Sequence, residues 1–171
     1  MKRGLVFYLV FYAGKGYPNQ SIFINFTEIF KTVKVELKRV NDAVHFEASS
    51  PSSTVKVHID GSAEIGGQGL GVRPMEMVLM ALASCSSLDL VSILKKQKQE
   101  IKDFSVSVEA ERREQIPSVF TKIHMNFRLT GEIDPAKADR AAELAVKKYC
   151  SVHDMLAAGG VEINYSLDIN K

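Results

Sequence analysis

The sequence predicts an α+β fold with a mostly antiparallel sheet, in the element order βββ-α-ββ-α-β. Three short runs of alternating apolar and polar residues lie within 33–59, two more flank Pro117, and a last one lies near the C-terminus. Between the first group and the second runs a stretch, 75–98, with neither glycine nor proline and only Glu76 and Asp89 charged before Lys95. Strands gathered in groups, rather than each followed by a helix, exclude a doubly wound parallel sheet.

Val33-Lys34-Val35-Glu36-Leu37 alternates, and Asn41-Asp42 turns the chain. Val44-His45-Phe46-Glu47-Ala48 alternates again, the Ser-Pro-Ser-Ser segment at 50–53 breaks the run, and Val55-Lys56-Val57-His58-Ile59 follows. The simplest account is a meander of three half-buried strands. Gly66-Gly67-Gln68-Gly69-Leu70-Gly71 has neither phosphate-loop spacing nor its lysine, and reads as a mobile connection. Pro74 suits a first helical turn, where its missing N–H costs nothing. Residues 77–83, Met-Val-Leu-Met-Ala-Leu-Ala, have no polar face, so the helix from Pro74 to Lys98 is expected to be buried on all sides. Lys95, Lys96 and Lys98 mark its exit to solvent and suit its C-terminal dipole.

Phe104–Ala110 and Ile123–Leu129 alternate strictly on either side of Pro117 and predict a long hairpin with one face on the core. Asp134-Pro135 is an N-cap followed by a proline at the first helical position. An alanine-rich helix runs from Ala136 to Tyr149, Gly159-Gly160 ends a further short helical turn, and Val161–Leu167 is the final strand.

The 171 residues suffice for one domain with a sizeable core, and 46% hydrophobic with 25% charged residues is the composition of a soluble globular protein. The formal charge of +2 argues against a strongly electrostatic partner such as bulk nucleic acid. That excess resides in residues 1–31, where Lys2, Arg3, Lys15 and Lys31 face Glu28 alone; no basic stripe remains in 32–171. Met1-Lys2-Arg3 followed by the apolar run 4–13 imitates a secretory signal. Its cleavage site at Gly14-Lys15-Gly16 is poor, and the run is too short to span a membrane. Residues 1–31 therefore read as an N-terminal extension, and 32–171 as a single domain.

Two cysteines stand out. Cys85 lies in a patch of small residues, Ala83-Ser84-Cys85-Ser86-Ser87, and Cys150 closes the second helical run in Lys148-Tyr149-Cys150-Ser151-Val152-His153. They are too far apart for a CxxC pair, and two thiols alone make no tetrahedral zinc site. His45, His58 and His124 fall on polar, solvent-facing strand positions at spacings that suggest no metal. On these residues alone, two inert buried thiols and two reactive ones both remain open. Asp89, four residues after Cys85, would oppose a thiolate there, and His153 and Asp154 could share a helix face with Cys150.

The segment from Gly69-Leu70-Gly71-Val72-Arg73-Pro74-Met75-Glu76 through Cys85, with Lys148-Tyr149-Cys150-Ser151-Val152 downstream, resembles the OsmC/Ohr family over roughly 32–171. Pro74-Met75-Glu76 and Ser86-Ser87-Leu88-Asp89 look most like its YhfA-like branch. The resemblance implies an OsmC-like fold, with antiparallel sheets packed around a long central buried helix in an intertwined homodimer. It implies a thiol-dependent peroxidase that reduces organic hydroperoxides, with Cys85 peroxidatic and Cys150 resolving, an external dithiol as reductant, and neither metal nor organic cofactor. With the charge and the short apolar run read above, the expectation is a cytoplasmic protein without nucleic-acid or membrane partners.

By the same resemblance Arg39 is the nearest counterpart of the family's activating arginine, with Arg73 as an alternative. The better-known branches carry a glutamate directly after the helix-start proline. Here Met75 holds that position and Glu76 comes one residue later, rotated by about 100° and about 13 Å along the helix axis from Cys85. Glu76 would therefore act through a partner subunit or an arginine, or serve the helix dipole alone. The alternative is an OsmC-fold ligand-binding or redox-sensing protein without efficient peroxidase activity, with an apolar pocket around Met77, Met80 and Leu88.

Overall fold

A computed structural model of the chain describes residues 32–170, so the extension 1–31 lies outside the described residues. Strands β1 (Glu36–Arg39), β2 (Phe46–Ser50) and β3 (Ser53–Ile59) form an antiparallel meander. Helix α1 (Pro74–Lys96) leads into the long hairpin of β4 (Glu100–Arg112) and β5 (Phe120–Glu132). Helix α2 (Pro135–Leu144), a π-helical turn (Ala145–Tyr149) and helix α3 (Ser151–Ala158) then carry the chain to β6 (Glu162–Asn170). The element order and the α+β class are those predicted. β6 pairs parallel to β5, because a helical crossover rather than a hairpin joins them.

Alternation along β5 builds the core. Ile123, Met125, Phe127 and Leu129 are fully buried against Leu82, Leu90 and Leu94 of α1. The Phe127 ring lies 6.2 Å from those of Phe104 and Tyr165 on the flanking strands. Ala138, Ala141, Ala142 and Ala145 form a fully buried small-residue face that packs into the same core as α1. Burying each large side chain of this kind contributes about 1.5–3 kcal/mol.

The expectation that α1 is buried on all sides fails within one chain. Leu82, Ser86, Leu90 and Leu94 recur every four residues and are buried, whereas Met80 is 52% and Leu88 74% exposed. The second sheet and the α2–α3 segment cover only part of a helix that is apolar all round. By length and composition α1 could also cross a membrane, but its leucine row belongs to this domain's core. The first sheet has a matching open face. Leu37, Ala48 and Val57 are cross-strand neighbours on one side of it, and Val55, on the same side, is 73% exposed.

The glycine-rich loop is not the free connection its composition suggests. The carboxylate of buried Asp60 accepts hydrogen bonds from the backbone N–H groups of Gly61 (2.8 Å), Gln68 (2.9 Å) and Leu70 (3.0 Å). These bonds outweigh burial and hold the Asp60 pKa below the ordinary carboxylate value. The close approach needs glycine: a Cβ on Gly67 would sit 2.0 Å from the Gly61 oxygen, and one on Gly71 2.4 Å from the His58 carbonyl carbon.

Asp60→Asn should therefore lower Tm by several degrees at neutral pH, because an amide presents a donor to a site of three donors. A lowered folded pKa stabilises above the unfolded value, about 4, and that contribution is lost as pH falls through the folded one. Thermal melts of both proteins should accordingly converge in acid. A pH-independent gap would contradict this account of the loop.

Candidate active site

The small residues around Cys85 keep α1 narrow where the chain around Cys150 meets it. The predicted continuous helix 136–149 instead ends at Leu144 and widens into the π-helical turn, where the Cys150 N–H donates to the Ala145 oxygen at 3.2 Å. No glycine or proline announces this turn. Cys150 thus stands at a junction, closing the wide turn and capping α3, whose His153 N–H donates to its sulfur at 3.4 Å. Its own S–H points at the Leu82 carbonyl oxygen of α1 at 3.9 Å.

Both cysteines are free thiols; Cys85 is half-buried and Cys150 1% exposed. The Leu82 carbonyl that the Cys150 S–H addresses is one helical turn before Ser86 and three residues before Cys85. Cys85 packs against the same core cluster, and the Cys150 thiol responds to both side chains. Burial pushes the Cys150 thiol above its ordinary pKa, and the Cys85 thiol adds to that rise. The Ser86 hydroxyl and the His153 N–H oppose it without reversing it. At neutral pH Cys150 therefore rests as a thiol.

The remaining predicted residues are engaged elsewhere. Arg39 turns its guanidinium onto its own β-turn, donating from Nε to the Ala43 oxygen at 2.8 Å and from Nη2 to the Asp42 oxygen. The Glu76 carboxylate accepts the Arg73 N–H at 2.9 Å and so caps α1. Among the described residues neither side chain hydrogen-bonds to Cys85. The ring of His153 sits 3.4 Å from Asp154, and it is the backbone of His153, not the imidazole, that meets Cys150. Asp89, one turn beyond Cys85, lines a groove of about 520 Å³ with Lys96, Leu144 and Tyr149. Met77 is half-buried, while Met80 and Leu88 lie on the open face of α1.

Removing the cap through Glu76→Ala should destabilise the protein by about 1 kcal/mol, read from urea unfolding. No loss of stability would mean the carboxylate is not used by the helix terminus.

Two features escaped the sequence reading. Ser86 lies in the small-residue patch, and its signal in the sequence is a hydroxyl directly after a cysteine on an apolar helix. His45, the residue before β2, is half-buried rather than solvent-facing, and its Nε2 lies 2.9 Å from Nδ1 of His58 in β3. His124 is exposed and meets Ser166 at 3.0 Å. Among the described residues no three His, Cys, Asp or Glu side chains are grouped to hold a metal ion.

The family model for OsmC-like proteins matches residues 67–166, which include both cysteines. Protein YhfA of Escherichia coli K12 is 45% identical over 97 residues, 56% of this chain and 72% of that protein. A hypothetical protein from Aquifex aeolicus VF5 superposes with a TM-score of 0.69 at 26% identity, covering 83% of this chain and 100% of the other. An organic hydroperoxide resistance protein from Elizabethkingia anophelis superposes with a TM-score of 0.61 over 82% of this chain and 98% of the other. At 13% identity that last likeness is one of fold.

Proposed function

The chain belongs to the OsmC-like protein family, and from that premise we propose that it is a thiol peroxidase that reduces organic hydroperoxides through Cys85 and Cys150. The observation that carries the reading is the meeting of a half-buried thiol with a fully buried one that caps a helix. The Cys85 thiolate attacks the outer oxygen of the hydroperoxide, the O–O bond breaks, and the alkoxide leaves and is protonated to an alcohol. The Cys150 thiolate then attacks the Cys85 sulfenic sulfur, forming a disulfide and releasing water. An external dithiol restores both thiols. It attacks at Cys85, the more exposed sulfur, and Cys150 is the leaving group. The chemistry suits the reducing cytoplasm.

The working unit in this proposal is a homodimer of the 32–171 domain, with 1–31 outside it. The open face of α1 at Met80 and Leu88 and the open apolar face of the first sheet at Leu37, Val55 and Val57 are complementary in chemistry. The sheet of one subunit covers the helix of the other. Arg39 and Glu76 would reach Cys85 only across that interface, since within one chain each serves its own turn.

That same engagement of Arg39 and Glu76 favours a second reading, an OsmC-fold ligand-binding or redox-sensing protein that oxidises slowly. Stopped-flow oxidation of the reduced protein separates the two. Rapid reaction with cumene hydroperoxide, faster than with hydrogen peroxide, supports the peroxidase. Slow reaction with both supports the second reading.

A further inference from the structure

Ser86 is fully buried, and its Oγ has no hydrogen-bond partner among the described residues. A serine inside a helix ordinarily returns its hydroxyl to the carbonyl four residues back. Here that carbonyl is Leu82, and the S–H of Cys150 is turned toward it instead. The Ser86 hydroxyl, one turn beyond the carbonyl that the Cys150 S–H addresses, is left without a bond of its own, and the Cys150 thiol responds to it. When Cys150 ionises, its contact with the Leu82 oxygen becomes repulsive, and the sulfur can accept from two donors, the His153 N–H and the Ser86 O–H.

Building on the peroxidase reading, we infer that Ser86 is a positioning residue for disulfide closure: its hydroxyl donates to the Cys150 thiolate and holds it aimed at the Cys85 sulfur. In this step the Cys150 S–H loses its proton, the thiolate forms the S–S bond, and the S–O bond of the sulfenic acid breaks. The departing hydroxide takes up a proton as water, so no further oxidant or reductant is needed. The Ser86 hydroxyl keeps its proton throughout. The same hydrogen bond stabilises Cys150 as leaving group when the disulfide is reduced.

The test follows closure after one equivalent of cumene hydroperoxide, by acid quench, alkylation and mass spectrometry across pH, in wild type, Ser86→Ala, Ser86→Thr and Ser87→Ala. Ser86→Ala should close about tenfold more slowly near neutrality, with its pH profile moved up by about one unit. Oxidation of Cys85 should be unchanged, and Ser86→Thr should recover the profile. Ser87 also has a buried, unpartnered Oγ, one position further round the helix, and Ser87→Ala should close like wild type. An unshifted profile in Ser86→Ala, or the same shift in Ser87→Ala, overturns the role.

A second measurement needs no peroxide. In Cys85→Ala protein labelled at cysteine ¹³Cβ, the Cys150 titration should move up when Ser86 becomes alanine; an unmoved titration also overturns the inference. Should wild type show no peroxide oxidation, the peroxidase reading fails, and this titration still decides what Ser86 does to Cys150.

Discussion

Cys85→Ser is expected to abolish hydroperoxide reduction, and Cys150→Ser to permit one oxidation per subunit and no turnover through a disulfide. The asymmetry follows from where the two thiols sit. Cys85 is half-buried among small side chains and is the more accessible of the two sulfurs. Cys150 is 1% exposed, and burial holds it as a thiol near neutrality. A peroxide in solution therefore meets Cys85 first. Steady-state reduction of cumene hydroperoxide with excess dithiol should fall to background in Cys85→Ser. In Cys150→Ser a burst of one alcohol per subunit should precede any slow phase. Equal activity in the two variants would mean that the roles are not divided in this way.

Leu88→Lys is expected to dissociate the proposed dimer. In one chain Leu88 is 74% exposed, so a lysine there costs almost nothing and the fold should be retained. In an assembly that buries α1 between two chains, the same lysine places an ammonium in an apolar interface, at a cost of several kcal/mol. Sedimentation equilibrium at low micromolar concentration should find wild type dimeric and Leu88→Lys monomeric, with unchanged far-UV circular dichroism. A wild type that is itself monomeric there would remove the interface, and with it any route for Arg39 or Glu76 of one subunit to Cys85 of another.

Alternation with period two and the apolar run at 77–83 made the element order legible, because both reflect burial on one side or all sides. What they could not give was the identity of the cover. The composition of α1 demands shielding at Leu88 as much as at Leu90, yet one chain shields only Leu90. The first two strands lie two or three residues later than the alternation at 33–37 and 44–48, and β4 and β5 run on beyond 104–110 and 123–129 at both ends. The register irregularities between Ile101 and Asp103 and between Glu111 and Arg112 spoil the alternation where pairing continues. The order in the glycine-rich loop was hidden for another reason: its cause is Asp60, a single carboxylate that lies outside the loop and meets it only after folding.

At the site, the sequence identified both cysteines and their helical settings. The junction at Cys150 was not legible, since Ala145–Tyr149 has ordinary helix-forming residues and carries no glycine or proline, while Ala145 and Val146 are buried in the core shared with α1. Arg39 shows the limit for long side chains. Its position beside the Asn41-Asp42 turn was plain, but the guanidinium satisfies that turn's own carbonyls, a choice made by local geometry rather than by residue type.

The most direct test of the account is the site of first oxidation. Reduced Cys150→Ser protein, given one equivalent of cumene hydroperoxide and trapped with dimedone, should carry a single sulfenic acid adduct on Cys85 by peptide mass spectrometry. Wild type treated alike, without dimedone, should carry a Cys85–Cys150 disulfide within one chain. First oxidation of wild type at Cys150, or no oxidation of either thiol at one equivalent, would contradict the peroxidatic role of Cys85 and leave the ligand-binding reading in its place.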